Sequence, residues 1–218
     1  LSSSSAASDV YKRQSVLKFV DSFDASIATY VHPVAFNVDP FNYKKASSIP
    51  LEFIPDSILS KELGLELVCA WSDELGTTEL WYRLLNIGRP VIAMAGTDMF
   101  VDFHRTPAIG TARVYAQQAQ EATQWAPYIK AVKEGRSFVT NTPVLLLEIG
   151  GKATPGDVIE VGQQNFSLYV TSAIAVENIE LIVNGEVAWT GGGMKAGASS
   201  TFKGCLLYTS PSPRDVEE

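Results

Sequence analysis

Apolar and polar positions divide the chain into two differently patterned parts. Between residues 24 and 138, apolar runs alternate with amphipathic stretches, which predicts the order strand, helix, strand, helix, strand, loop, strand, helix. Such alternation is typical of a parallel sheet or barrel with crossover helices. After Arg136, short apolar runs are separated by turn residues, which predicts an all-β part of the sandwich class.

In the first part, helix boundaries are predicted from capping residues. One helix is expected to end at Gly64, a second to open at Thr77 or Thr78 and close at Gly88, and a third to end at Gly135. The predicted helices are LEFIPDSILSKELG, TTELWYRLLNIG and APYIKAVKEG, and the predicted strands are ASIATYVHP, LELVCAW, PVIAMAGTD and TARVYAQ.

In the second part, the dipeptide Asn184-Gly185 stands between two apolar runs. This arrangement predicts a β-hairpin with a type I′ turn, because both turn positions need positive φ. The predicted strands are SFVTNTP, VLLLEIGG, GDVIEVG, NFSLYVTSA and the two arms of NIELIVNGEVAWTGG. The boundary between the parts is placed at about residue 150, although SFVTNTPVLLLEI fits either side.

The two ends of the chain differ from its middle. Residues 1–14 are serine-rich and residues 205–218 combine serine, proline and acidic residues, so neither is expected to form a helix or strand face. Both closely resemble translated sequencing-adapter read-through, with a disordered tail as the alternative. The expected organisation is therefore a non-native or disordered tail at 1–14, a barrel fragment at 15–150, an incomplete β-domain at 151–204 and a second tail at 205–218.

Composition narrows the class of protein. The chain of 218 residues is 46% apolar and 19% charged, as in ordinary globular proteins, and its net charge is -7. No basic cluster interrupts that acidity, so we expect no nucleic-acid partner. No run of about 18 apolar residues occurs, so we expect no membrane span. The two cysteines say little about compartment, and localisation stays open, including secretion to the periplasm or outside the cell.

Two residues stand at the carboxyl ends of predicted strands. His32 ends one strand and Asp98 ends another, after a glycine that we expect to permit a sharp turn. Parallel strands place their carboxyl ends at one edge of a sheet or barrel, where ligands bind. Imidazole and carboxylate groups are ligands for Zn²⁺, Mn²⁺ or Fe²⁺. The alternatives are a structural histidine for His32 and a helix cap or turn residue for Asp98.

Longer blocks carry a family resemblance. The stretch ELWYRLLNIGRPVIAMAGTDMF, then ARVYAQ, then YIKAVKEGRSFVTNTPVLLLEIGGKATPGDVI resembles the CehA/McbA-type metallohydrolases of the PHP (polymerase and histidinol phosphatase) superfamily. The likeness covers about residues 24–160. It implies a partial, distorted TIM-like barrel with a two- or three-metal site at its strand ends. The family's His-Pro motif matches His32-Pro33 and its G-[ST]-D motif matches Gly96-Thr97-Asp98, so the resemblance implies that His32 and Asp98 are candidate metal ligands and catalytic residues.

The chain departs from the family pattern at several points. The His-x-His pair that usually opens the superfamily is absent, which we interpret as truncation. Phe100 stands where a histidine commonly follows the aspartate, and the family often has glycine at the position of Thr142. His104 is a candidate to replace the missing histidine, with an exposed loop histidine as the alternative. Asn141 is a candidate to bind substrate or to shape a turn.

Two functions follow as hypotheses. The first is a metal-dependent hydrolase acting on an ester, amide or phosphoester bond of a small-molecule or carbohydrate-like substrate, with a divalent metal (Zn, Mn or Fe) as cofactor. The second is a non-catalytic binding protein with a degenerate barrel and a β-domain that recognises carbohydrate or cell-surface material. Phe100 motivates the second hypothesis.

Overall fold

The computed structural model describes residues 18, 22, 27–34, 63–70, 72–101, 107–117 and 125–208. Within these ranges the chain forms two helices, α1 (Glu74–Asn86) and α2 (Trp125–Lys133), and ten strands. The strands are β1 (Ala28–Tyr30), β2 (Leu63–Val68), β3 (Ile92–Ala95), β4 (Arg113–Ala116), β5 (Ser137–Thr140), β6 (Val144–Ile149), β7 (Gly162–Thr171), β8 (Ile179–Val183), β9 (Glu186–Gly191) and β10 (Ser199–Tyr208). The fold is mixed α/β, with several small sheets.

Strands β1, β2 and β3 form a parallel sheet with β2 in the centre. Helix α1 follows β2 in the chain and packs against it, so Leu65 and Leu67 share a core with Leu80 and Leu84. β2 carries a nearly unbroken apolar run because it is buried, as expected for a central parallel strand. The predicted parallel sheet with a crossover helix is confirmed for these elements.

Helix α1 begins earlier than its sequence pattern predicts. Asp73 caps it by accepting hydrogen bonds at Oδ1 from the backbone N–H groups of Leu75 and Gly76, both at 3.1 Å. The predicted start at Thr77 or Thr78 is therefore wrong by three or four residues. The predicted end is confirmed: Gly88 has φ 75° just after the helix, the left-handed conformation of a glycine C-terminal stop.

The prediction that Gly64 ends a helix is wrong, because this residue lies inside β2. Its lack of a side chain serves packing: a Cβ there would come within 2.9 Å of Met94 Cγ on β3. Positions 51–62 of the predicted helix lie outside the described residues. The helix predicted to end at Gly135 is confirmed as α2, and Gly135 has φ 72°.

Strands β4 and β5 pair with each other antiparallel, and Val139 of β5 packs against the core of the parallel sheet. The described residues contain no closed barrel. The barrel therefore stays a proposal, and the shown architecture is a parallel three-stranded sheet, with its helix, next to a two-stranded pair.

The second part of the chain is all-β, as predicted. Strands β6, β7 and β10 form one antiparallel sheet, and β8 and β9 form a hairpin. A common core joins them, with Phe166 and Leu168 of β7 packed with Ile179 of β8, and Trp189 of β9 contacts Phe166 edge to face at 5.1 Å. This packing is sandwich-like. The hairpin turn is confirmed, since Asn184 has φ 55° and the following glycine φ 86°.

One strand and one strand end in this part differ from the predictions. No strand forms over the predicted segment GDVIEVG before Gly162. Val158 in this segment is 98% exposed, so its side chain is not packed against a sheet. β6 pairs with β7, so the segment VLLLEI, which fits either side in the sequence, belongs to the sheet of the second part. β10 continues through Tyr208, so the prediction that no strand forms after residue 204 is wrong for 205–208. The tail segments 1–14 and 209–218 lie outside the described residues.

The junction between the two parts is held by an ion pair. Arg136 Nη1 lies 3.0 Å from Asp157 Oδ1, and the other carboxylate oxygen accepts a 2.9 Å hydrogen bond from Thr154 N. The Thr154 backbone bond, with the Arg136 charge and hydrogen bond, lowers the pKa of Asp157 below its usual value. Neither of the two helices in the described ranges is both long and apolar enough to cross a membrane.

Candidate functional site

His32 and Asp98 meet at one edge of the parallel sheet. His32 follows the end of β1 by two residues and Asp98 follows the end of β3 by three. His32 Nε2 lies 2.9 Å from Asp98 Oδ2, and the two side chains are 33% and 38% exposed. The strands are parallel, so their carboxyl ends reach the same edge, and this edge brings together two residues far apart in the chain.

Both residues of the pair have left-handed backbone conformations, with φ 38° for His32 and φ 48° for Asp98. Among the described residues, the only other non-glycine with positive φ is Asn184, whose hairpin turn requires it. Left-handed geometry is uncommon for residues with a side chain, although Asp, Asn and His adopt it more often than most. Strain of this kind concentrates at binding and catalytic sites. The backbone therefore singles out the same two positions as the sequence motifs.

A third residue at this edge, Glu66 on the central strand β2, was missed by sequence reasoning. Its Oε2 accepts a 3.0 Å hydrogen bond from the backbone N–H of His32, and the residue is only 5% exposed. The signal was present in the sequence: an acid inside the apolar run LELVCAW needs a polar partner, because buried charged groups are rare unless paired.

Gly96 has a different role from the one predicted. It does not have positive φ, so no turn conformation reserved for glycine explains it. Instead, a Cβ at this position would overlap Glu66 Oε1. Gly96 leaves room for the Glu66 carboxyl group, and the left-handed turn falls two residues later, at Asp98.

Asn141 lies beside a small cavity that also reaches Thr97, the neighbour of Asp98. The cavity of about 130 Å³ is lined by Thr97, Asn141 and Glu74 among others. Asn141 Nδ2 donates a 3.3 Å hydrogen bond to Glu74 Oε2. Burial raises the pKa of Glu74, partly offset by a hydrogen bond from the Cys69 backbone. The structure thus places the predicted substrate residue in one cavity with Thr97 and adds Glu74, which sequence reasoning also missed.

A larger cavity of about 380 Å³ lies between the β4–β5 pair and β6, where Tyr115, Phe138 and Leu145 line it. None of His32, Asp98 or Asn141 belongs to its lining. A cavity of about 500 Å³ lies between β3, β4 and α2, with Met94, Val114 and Ile129 in its lining, and it contains none of these three residues either. The chemistry-bearing side chains lie elsewhere, so we base the site on them.

The remaining ligand candidates are not brought to the pair within the described part of the chain. His104 lies outside the described residues. Phe100, at the position where the resembled family has histidine, is described and 55% exposed. In the ranges that the structure describes, no group of three or more His, Cys, Asp or Glu side chains is arranged to hold a metal ion. The described site supplies one imidazole and one carboxylate side by side.

No family model, curated protein or solved structure matches this chain. The resemblance to the CehA/McbA-type metallohydrolases therefore stays a prediction based on motif order and spacing.

Proposed function

We propose that this chain carries part of the active site of a metal-dependent hydrolase, with His32 and Asp98 as ligands of a divalent ion. One observation carries the proposal: the 2.9 Å approach of His32 Nε2 to Asp98 Oδ2 at the carboxyl edge of a parallel sheet. The left-handed backbone at both residues supports it, because sparsely populated backbone conformations cluster at binding and catalytic sites.

The donor chemistry fits such an ion in part. Imidazole nitrogen and carboxylate oxygen both bind Zn²⁺, Mn²⁺ and Fe²⁺, and two ligands of one ion, each about 2.0–2.2 Å from it, lie roughly 3 Å apart. The observed spacing agrees with this. A catalytic zinc site uses three protein ligands, so at least one more must join the two described here. His104 and the upstream His-x-His pair that the resemblance implies are the candidates.

A bound divalent ion would supply an activated water and polarise a carbonyl or phosphoryl oxygen. The chain's own residues have other tasks in this proposal. His32 and Asp98 hold their nitrogen and oxygen at fixed spacing, and Asn141 offers its amide to a substrate oxygen beside Thr97. The parallel strands β1 to β3 belong to the C-terminal part of a distorted barrel whose strand ends surround the site. Ester, amide and phosphoester bonds remain the proposed substrate class.

Hydrolysis assays test this function. The chain, and the same chain extended upstream in its gene, are incubated with p-nitrophenyl acetate, a nitroanilide and p-nitrophenyl phosphate, with and without Zn²⁺, Mn²⁺ or Fe²⁺. We expect metal-dependent hydrolysis of at least one substrate, lowered about tenfold to a hundredfold or more by His32→Ala and by Asp98→Ala. The control Glu186→Ala, on the β8–β9 hairpin, should leave the rate unchanged. Equal rates in the wild type, His32→Ala and Asp98→Ala would reject the proposal.

A second function has a specific observation behind it. Phe100 is 55% exposed where the resembled family has a histidine, and His32 and Asp98 already satisfy each other with a direct contact. Both features are expected of a non-catalytic barrel in a carbohydrate-binding protein. Absence of metal from the upstream-extended protein by elemental analysis, together with retention on glycan arrays, would favour this function over the hydrolase.

A further inference from the structure

Glu66 reaches both turns that carry the site. It stands on the central strand β2, between β1 and β3. Its Oε2 accepts the hydrogen bond from the His32 backbone N–H, and its Oε1 fills the space where a Cβ of Gly96 would be. One buried carboxyl group therefore contacts the turn after β1 and the start of the turn after β3.

Burying the carboxyl group of Glu66 in a central strand costs free energy. A central parallel strand is normally apolar throughout, and burying a carboxyl group without hydrogen bonds is strongly unfavourable. The remaining residues of β2 that are fully buried are leucines and one glycine. The hydrogen bond to His32 offsets the cost of burying Glu66, and the same bond holds the backbone N–H of a residue whose φ of 38° is strained.

We propose that Glu66 is a positioning residue of this site. Its carboxyl group holds the backbone of His32 in the left-handed conformation and determines how closely the chain at Gly96 approaches β2. Together these contacts bring the His32 imidazole to Asp98. A role of Glu66 in catalysis rests on the proposed function, but its contacts with His32 and Gly96 do not require a bound metal.

Amide hydrogen exchange of the metal-free full chain tests the hydrogen bond. In Glu66→Ala we expect the His32 amide to exchange at least about tenfold faster, because the acceptor of its hydrogen bond is lost. The amide of Leu65 in the β1–β2 ladder serves as the internal reference. If Glu66 were merely structural, both amides would accelerate together. Glu66→Gln keeps an acceptor oxygen and should recover most of the His32 protection.

A double-mutant cycle tests the contact with Gly96. Gly96→Ala should disturb the site because its Cβ displaces the Glu66 carboxyl group, so the His32 amide again exchanges faster. With Glu66→Ala already present, the added methyl meets open space and Gly96→Ala should have little further effect. Equal effects of Gly96→Ala in both backgrounds would overturn the inference, and so would an unchanged His32 amide in Glu66→Ala. If Glu66→Ala fails to fold, His32 amide exchange is compared between the wild type, Gly96→Ala and Glu66→Gln.

Metal titration separates this inference from the proposed function. If the exchange results hold and no variant changes binding of Zn²⁺, the positioning role stands and the metal site is rejected. If His32→Ala abolishes binding but Glu66→Ala leaves both His32 exchange and Zn²⁺ affinity unchanged, the metal site stands and the positioning role is rejected.

Discussion

His32 and Asp98, 66 positions apart in the chain, meet through a 2.9 Å contact between Nε2 and Oδ2. Both residues hold left-handed backbone conformations at the ends of parallel strands. A contact this distant in sequence, made by two strained residues, depends on the whole sheet being in register. Its energetic consequences can be measured separately from any catalytic activity.

Backbone strain at Asp98 predicts an unusual order of stability. Both Asp98→Ala and Asp98→Gly remove the contact with His32, but only glycine relieves the cost of φ 48°. We expect the glycine variant to be more stable than the alanine variant by about 1 kcal/mol in urea unfolding. At Val187, an ordinary position in β9, the order should reverse, with alanine more stable than glycine. An alanine variant at Asp98 as stable as the glycine variant would show that the backbone there is not strained.

The last residues of β10 provide a test of where the fold ends. Leu206 is 7% exposed and belongs to the core of the second part, whereas its neighbour Leu207 is 74% exposed. Leu206→Ala should lower the free energy of unfolding by about 2–5 kcal/mol. Leu207→Ala should change it by no more than about 0.5 kcal/mol. Two nearly neutral substitutions would instead support the sequence-based interpretation of 205–218 as a tail.

The ion pair at the junction predicts a pH dependence of stability. The pKa of Asp157 is lowered in the folded chain by Thr154 and Arg136, so its ionised form stabilises the fold. That contribution is fully present above the unfolded-state pKa of about 3.9 and is lost as the pH falls through the lower folded-state value. Asp157→Asn should therefore lower the melting temperature at neutral pH.

Thermal unfolding between pH 7 and about pH 2.5 measures this dependence. The gap between the wild type and Asp157→Asn should close towards the acidic end. Glu160→Gln, an exposed carboxylate nearby for which no ion pair is described, is the matched control. A gap that keeps its size across the whole range would mean that the carboxylate charge is not its source.

Local signals predicted several elements correctly because local chemistry determines them. Asn184 and the glycine after it form the expected turn, since few residues adopt positive φ without strain. The meeting of His32 and Asp98 at one sheet edge also follows from a general rule, that parallel strands share the direction of their carboxyl ends. Both predictions needed only residue type and strand order.

Other features depend on contacts that the sequence does not display. Gly64 resembles a helix stop, but its neighbour across the sheet, Met94, requires a residue without a side chain. The role of Gly96 depends on Glu66, which is distant in sequence and close only after β2 and β3 pair. Asp73, Thr77 and Thr78 are all of residue types that cap helices, and only the bonds to Asp73 from Leu75 N and Gly76 N show where α1 begins.

Calorimetric titration with Zn²⁺ tests the central claim most directly. It is performed on the wild type, His32→Ala, Asp98→Ala, the double variant and the control Glu186→Ala. If both residues bind one ion, each single substitution weakens binding at least about tenfold, and the double variant loses less than the sum of the two effects. Affinity equal to the wild type in His32→Ala and Asp98→Ala would contradict the account.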